Sequence, residues 1–329
     1  MQAFVLPFVL NALKPFASFA SGVGAQKKLF ILIYHRVLDQ ADFMRPGEVD
    51  KQVFAWQMQL LARYFTVLPL DEAVSRLQNG SLPPRAVTIT FDDGYADNLH
   101  NAVPILKQHG LSATFFIASG YLDGGRMWND SIIEAIRLMP QTSLDLSGIG
   151  LGEFAIASPA QKAATASAIL KKLKHLEPAQ RLAHTQFIAG LVKGLPDNLM
   201  LTSAELKALH GQGMEIGGHT VSHPILAKLD DQAAMDEINA NKTFLEQLLN
   251  TTIRYFAYPN GKLGEDYRLG QVGLVKNSQY QAALSTEPSV ANRSSPIWQL
   301  PRFTPWDATP IKFMLRLIWM YQQSRPNTP

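Results

Sequence analysis

Cysteine is absent from all 329 residues, so disulfides and thiolate metal sites are excluded and any metal must sit on imidazoles and carboxylates. Net charge is also nearly absent. Thirty basic residues stand against 27 acidic ones, with no dense Lys/Arg block, which argues against a nucleic-acid surface. Charged residues make up only 17% of the chain and hydrophobic ones 47%, which excludes global disorder and implies a large core. No uninterrupted apolar run reaches the ~20 residues a spanning helix needs. The nearest approach, residues 1–22, is broken by Pro7, Lys14 and Pro15. No positive region precedes that stretch, as a signal peptide would require. An amphipathic helix on the domain or on a membrane surface is the expectation for residues 1–27, with a cytoplasmic or inner-membrane-peripheral location.

What is present reads as alternating strands and helices. Lys28–Val37 is a buried strand that delivers Tyr34, His35 and Arg36 to its far end. Helices follow over Val53–Tyr64 and from Pro69, with Asp71 as the expected N-cap and Gly80 as the stop. Val87–Phe91 is a second strand, Ala102–His109 a helix and Ser112–Ser119 a third strand. This strand–helix–strand order belongs to a parallel sheet or barrel. Residues 141–198 change to Ala- and Lys-rich helical text after a short hairpin pattern, and read as an insertion on one barrel spanning 28–329. Thr202 and Glu205 form a capping pair. Strands are expected at Met214–Ile216, Ile253–Pro259, Gln281–Thr286 and Leu300–Thr304, with a last helix over Ile311–Gln322. About seven βα-like units make an irregular barrel the natural architecture.

Two features carry chemistry. The strand Val87–Phe91 stops on Asp92, Asp93 and Gly94. Adjacent carboxylates in one pocket suit a division of labour, one holding a metal and the other moving protons, although Asp and Gly are also ordinary turn residues. The second feature is His219-Thr-Val-Ser-His223, just past a strand and two glycines. Four-residue spacing puts both imidazoles on one side of a helical turn, within reach of a single cation. One carboxylate and two imidazoles leave open positions, as catalytic metal sites do. The remaining histidines, His100, His109, His175, His184 and His210, lie on helical faces and are assigned to packing or solvent.

TFDDG at Thr90–Gly94 followed by HTVSHP at His219–Pro224 resembles the first two motifs of the polysaccharide deacetylases, the NodB-homology enzymes of carbohydrate esterase family 4. The resemblance covers roughly Lys28–Thr304 and implies a distorted (β/α)7 barrel. It also implies removal of N-acetyl groups from N-acetylhexosamine units of a glycan or lipid-linked sugar. The cofactor implied is a divalent metal, zinc first, with Co2+, Ni2+ or Fe2+ as alternatives. Carried over by residue, Asp93, His219 and His223 ligate the metal and Asp92 is the general base that activates water. The third motif, usually R-x-P-Y/F, stands here as Ala257-Tyr258-Pro259-Asn260. Its backbone oxyanion donor falls on Asn260, with Tyr258 and Pro259 beside the substrate. The motif arginine is lost, and Arg302 is the candidate replacement, with Arg302 and Trp306 lining the pocket. The C-terminal histidine motif is missing too, since no histidine follows His223. YHR at Tyr34–Arg36 resembles the variant in which the acid histidine sits on an N-terminal strand, making His35 the general acid. Two other readings use the same residues: an inactive carbohydrate-binding barrel, or a hydrolase of another amide or ester.

Overall fold

The computed structural model describes residues 2–322. Its frame is seven strands: β1 (Leu29–Tyr34), β2 (Thr66–Val67), β3 (Ala86–Phe91), β4 (Thr114–Ile117), β5 (Glu215–Gly218), β6 (Tyr255–Ala257) and β7 (Ala282–Leu284). They pair in parallel in the order β1-β3-β4-β5-β6-β7. β1 runs along one edge of β3 from Leu29↔Ala86 to Tyr34↔Phe91. β2 and β4 therefore share the other edge, β2 at its start and β4 at its end. β1 and β3 are buried at all six positions, which explains their unbroken apolar text: a parallel sheet covered by helices has no wet face.

The expected strand at Leu300–Thr304 is present only as single bridges, Leu284↔Leu300 and Leu32↔Phe303. Pro301 between them has no N–H to give a ladder. Those two bridges nevertheless join β7 back to β1, so the sheet curls into an irregular barrel.

Among the described residues, eleven α-helices accompany the strands: α1 (Gln2–Ala20), α2 (Lys51–Tyr64), α3 (Leu70–Asn79), α4 (Val103–Gln108), α5 (Trp128–Leu138), α6 (Pro159–Leu173), α7 (Pro178–Gly190), α8 (Ser203–Gly211), α9 (Asp231–Leu249), α10 (Leu269–Asn277) and α11 (Pro310–Gln322). The Thr202/Glu205 pair caps α8 reciprocally, as its sequence predicts. Asp71 is not the N-cap of α3. It lies inside the first turn, where a carboxylate favours the helix dipole, and accepts from the Tyr255 hydroxyl at 2.8 Å. The hairpin pattern after residue 141 is a true antiparallel pair, Ser143–Asp145 with Glu153–Ala155. It packs with α6 and α7 around Ile132, Ile136, Leu144, Ile156, Ile169 and Ile188, an apolar cluster separate from the barrel core. Because Ile132 and Ile136 come from α5, this added layer is built onto the barrel's own helix.

Candidate active site

His35, Asp92, Asp93, His219, His223 and Asn260 collect at the C-terminal ends of the strands, where loops can vary without disturbing the ladder. A cleft of about 620 Å³ opens there, and its lining includes His35, Glu48, Asp92, Asp93, Tyr95, Trp128, Lys171, His219, His223, Asn260 and Thr286. β1 delivers His35, β3 the two aspartates, β5 the two histidines, β6 Asn260 and β7 Thr286.

Asp93, His219 and His223 each present one ligand atom, and these atoms lie within 4.8 Å of one another. His219 Nε2 is 3.4 Å and His223 Nε2 3.5 Å from Asp93 Oδ1. The Nδ1–H of His219 donates to the carbonyl of Ala257 at 2.7 Å, which fixes its tautomer and leaves the Nε2 lone pair facing Asp93. The residue standing in place of the motif arginine thus still serves the site, through its backbone. Burial lowers the His223 pKa to about 4, overriding the pull of Asp93, so its imidazole is neutral at pH 7, the form that ligates a metal. Burial works to raise the Asp93 pKa, but the imidazoles of His219, His223 and His35 close around it outweigh burial and hold its carboxyl well below the usual range.

A sheltering loop, not a helical turn, carries the two histidines. Past β5 the chain is irregular, and Thr220 and His223 adopt left-handed φ values of 65° and 51°. The four-residue spacing works because the loop doubles back. Asp93 (φ 78°) and Asn260 (φ 60°) are left-handed as well. Such conformations cost about 1–3 kcal/mol each and persist only where the surroundings dictate them. Those surroundings are visible. The Asn241 side chain accepts from His219 N–H at 3.1 Å and donates to the carbonyls of Ile117 and Thr220. One turn earlier, Glu237 accepts from the N–H groups of Val221 and Ser222. Gly218 is required by close approach, since a Cβ there would lie 2.2 Å from the Tyr280 hydroxyl. Asn241 and Glu237 were not foreseen. Their only trace in the sequence is a pair of polar residues four apart on α9.

Asp92 is 2% exposed and is gripped by Arg302, which donates through Nη1 to Oδ1 at 2.6 Å and through Nη2 to Oδ2 at 2.7 Å. Arg302 is itself buried, and its Nε–H donates to the Ser285 carbonyl at 2.9 Å. Burial works to raise the Asp92 pKa, but the guanidinium outweighs it and holds the carboxyl below its ordinary value. Oδ2 remains 3.8 Å from His219 Nε2, beside the three-ligand cluster. Arg302, expected on the pocket lining, thus pairs with Asp92 from behind and does not lie on the cleft wall. Trp306 is outside the cleft lining too: it packs on Phe303 and is 57% exposed. Tyr258 and Pro259 are buried behind the wall, with Tyr258 stacked on Tyr267 and donating to the Trp298 carbonyl.

His35 faces the cleft from the other side. Burial pulls its pKa down, but the carboxylates of Asp93, Glu48 and Asp92 together carry it above the ordinary 6.5. Its strand end is braced by the next residue. Arg36 Nε donates to Asp97 at 2.7 Å, and Asp97 also accepts from Val37 N–H at 3.1 Å. Asp97 was not singled out from the sequence, although it stands five residues after Asp92. The Asn260 N–H has no hydrogen-bond partner among the described residues, while the Asn260 carbonyl accepts from Thr286 Oγ at 2.6 Å. The added layer reaches the cleft with Leu170, Lys171 and Lys174 of α6 and its C-terminal end, and Trp128 of α5 joins them. Lys174 spans to Asp266 at 3.4 Å.

Fold and site together define an α/β barrel whose strand ends hold a carboxylate–imidazole–imidazole cluster beside a second, arginine-paired carboxylate. The sequence model of the polysaccharide deacetylase family matches residues 79–144 and 158–275. The chain belongs to that family, whose reaction is the hydrolytic deacetylation of glycans. The Bacillus subtilis (strain 168) protein YxkH, named as a polysaccharide deacetylase, is 23% identical over 277 residues, which is 84% of this chain and 70% of YxkH. The Streptococcus pyogenes deacetylase PplD, solved in complex with acetate, superposes with a TM-score of 0.60 at 19% identity, covering 89% of this chain and 99% of PplD. IcaB from Ammonifex degensii gives 0.55 at 19% identity, covering 92% of this chain and 98% of IcaB. At these identities the two structures establish a shared fold.

Proposed function

We propose that the protein is a metal-dependent N-deacetylase acting on N-acetylhexosamine units of a glycan or lipid-linked sugar. The observation that carries this reading is the placement of Asp92, held ionised by Arg302, directly beside the Asp93/His219/His223 cluster. The cluster fits a divalent cation. Asp93 Oδ1 is buried without a hydrogen-bond partner, an arrangement that is costly unless a cation completes it. Imidazole and carboxylate donors with no sulfur suit zinc, and also Co2+, Ni2+ or Fe2+. Asp93, His219 and His223 would hold the ion. When bound, it supplies Lewis acidity that polarises the amide carbonyl and makes water more acidic.

The rest of the reaction falls to the chain's own groups. Asp92 takes the proton of the attacking water, and Arg302 keeps it ionised and aimed. The free N–H of Asn260 faces the carbonyl oxygen as negative charge grows there. His35, whose cationic form the surrounding carboxylates favour, gives its proton to the departing sugar amine. Trp128 and Leu170 offer apolar surface to the sugar ring. A site lacking one of these groups would favour the inactive sugar-binding alternative. Here Asp92, Asp93, His219 and His223 converge, which supports the enzyme.

The test is acetate release from N-acetylated chito-oligosaccharides. Release is expected that a chelator abolishes and added Zn2+ or Co2+ restores. No release, with no metal bound, would sink the proposal.

His35→Ala is expected to lower kcat by about 10²–10⁴-fold at unchanged metal content. The sign of the pH effect follows from the raised pKa. The cationic acid is present below it and is lost as pH rises through it, so the wild type has an alkaline limb that His35→Ala lacks. Because Asp93 is the foremost carboxylate supporting His35, a cation on Asp93 moves that limb downward. An unchanged rate and an unchanged alkaline limb would remove His35 from the mechanism.

A further inference from the structure

α1 and α11 pack against each other, and each leaves large apolar side chains exposed among the described residues. α1 is apolar on two sides. Leu10 and Ala17 are buried in the main apolar core, while Phe8, Phe16 and Phe19 are exposed on the opposite side of the helix. At 100° per residue these three fall within one quadrant of the helix, together with exposed Ala12 and Pro15. The four most exposed large hydrophobic side chains among the described residues are Phe19 (84%), Phe8 (76%), Val23 (70%) and Phe16 (65%), all on α1 or the turn after it. Surface hydrophobics are normally scattered singly, so this concentration needs a cause. α11 adds to it. Phe313, Met314, Leu317, Met320 and Tyr321 face inward, and Leu315 and Trp319, four residues apart, face outward.

Charge separates the candidate occupants. No acidic residue occurs before Asp39 or after Asp307, so both helices are free of carboxylates. Lys312 is exposed on the same side of α11 as Leu315 and Trp319, and Lys27 is half-exposed just beyond α1, while exposed Lys14 lies on the side of α1 away from Phe8, Phe16 and Phe19. A second copy docking here about a two-fold axis would set like charges against like. An anionic lipid surface complements them, each lysine near it contributing about 1 kcal/mol of attraction. Phe and Trp side chains on the same face suit the boundary between headgroups and acyl chains. No described helix is long and apolar enough to cross a membrane, so the geometry is one of lying on the surface.

We infer that the α1–α11 face docks the protein on an anionic bilayer. The face runs along the barrel flank. α11 begins six residues after Thr304, a cleft residue, and ends where Lys28 donates to the Tyr321 carbonyl at the N-terminal end of β1. Exposed Trp306, its ring under the Arg316 guanidinium at 4.7 Å, continues the strip towards the cleft. The bilayer therefore meets the side of the barrel and leaves the cleft mouth open beside it. This inference stands apart from the catalytic assignment.

Co-sedimentation of the full chain with vesicles tests it. Binding is expected to vesicles containing phosphatidylglycerol, to weaken with salt, and to be weaker on pure phosphatidylcholine. Phe16→Ser and Phe19→Ser should each reduce binding roughly tenfold, the equivalent of withdrawing one large apolar side chain from lipid. Lys27→Glu with Lys312→Glu should remove the preference for anionic lipid. Thermal unfolding and acetate release from a soluble oligosaccharide should be unchanged in all of these variants. Two results would overturn the inference. One is a wild type that stays in the supernatant with anionic vesicles. The other is a concentration-dependent dimer that Phe16→Ser and Phe19→Ser dissolve, which would give the face to a second copy.

Discussion

Asp92→Asn is expected to reduce kcat by about 10²–10⁴-fold while leaving the metal content near that of the wild type. The amide keeps the shape of the side chain but cannot take a proton from water. Metal content is the control because Asp93, His219 and His223 are untouched. The substitution also has a structural cost. It removes the charge opposite the buried Arg302 guanidinium and turns one of the two oxygens it grips into an NH2 donor, leaving the amide oxygen, the Ser285 carbonyl at 2.9 Å and Thr90 Oγ1 at 3.3 Å as acceptors. Stability should therefore fall together with activity, and assays belong well below the unfolding midpoint. Full activity in Asp92→Asn would overturn the assignment of the base.

Arg302→Met should have the second large effect, by the opposite route. It strips a buried carboxylate of its partner, which costs about 3–5 kcal/mol. With the guanidinium gone, burial of Asp92 loses its largest opponent, leaving only His219 and His35 against it, and its pKa rises. Its depressed folded pKa now contributes stability that is present above the ordinary value of 3.8 and lost only as pH falls through the folded value. Arg302→Met removes that contribution and moves the acid limb of the rate profile upward. Arg302→Lys should recover part of the stability but less of the rate, because an ammonium cannot hold both oxygens of Asp92 in one plane. The double variant Asp92→Asn/Arg302→Met separates aiming from structure. With no charge left unpaired it should be more stable than either single variant, and still inactive. If Arg302→Met left the acid limb in place, Arg302 would be a packing residue only.

These two residues also show how far the sequence carries. Asp92, Asp93 and His219 were legible because each lies within two residues of a buried strand's end, and a strand's end in a parallel barrel is already a position in space; His223 was legible only by its spacing from His219. The parallel barrel was legible for the same reason, from unbroken apolar strands alternating with helical periods. The His219–His223 loop was misread as a helical turn, because four-residue spacing carries no information about the left-handed residues that fold it back. Trp306 was placed in the cleft by its nearness to Arg302 in sequence, yet the chain turns outward after Thr304.

What the sequence by itself determined is the set of reactive groups and the strands that deliver them, since both are written in local pattern. What only the tertiary structure decided is how each group is held. The Arg302–Asp92 pair joins residues 210 apart. His219 is oriented by a carbonyl 38 residues away and Asn241 supports it from α9. The wall formed by Trp128 and α6 is likewise a matter of packing. Contacts of that kind depend on where the barrel closes, at Leu300 and Phe303, and no local period in the chain encodes that closure.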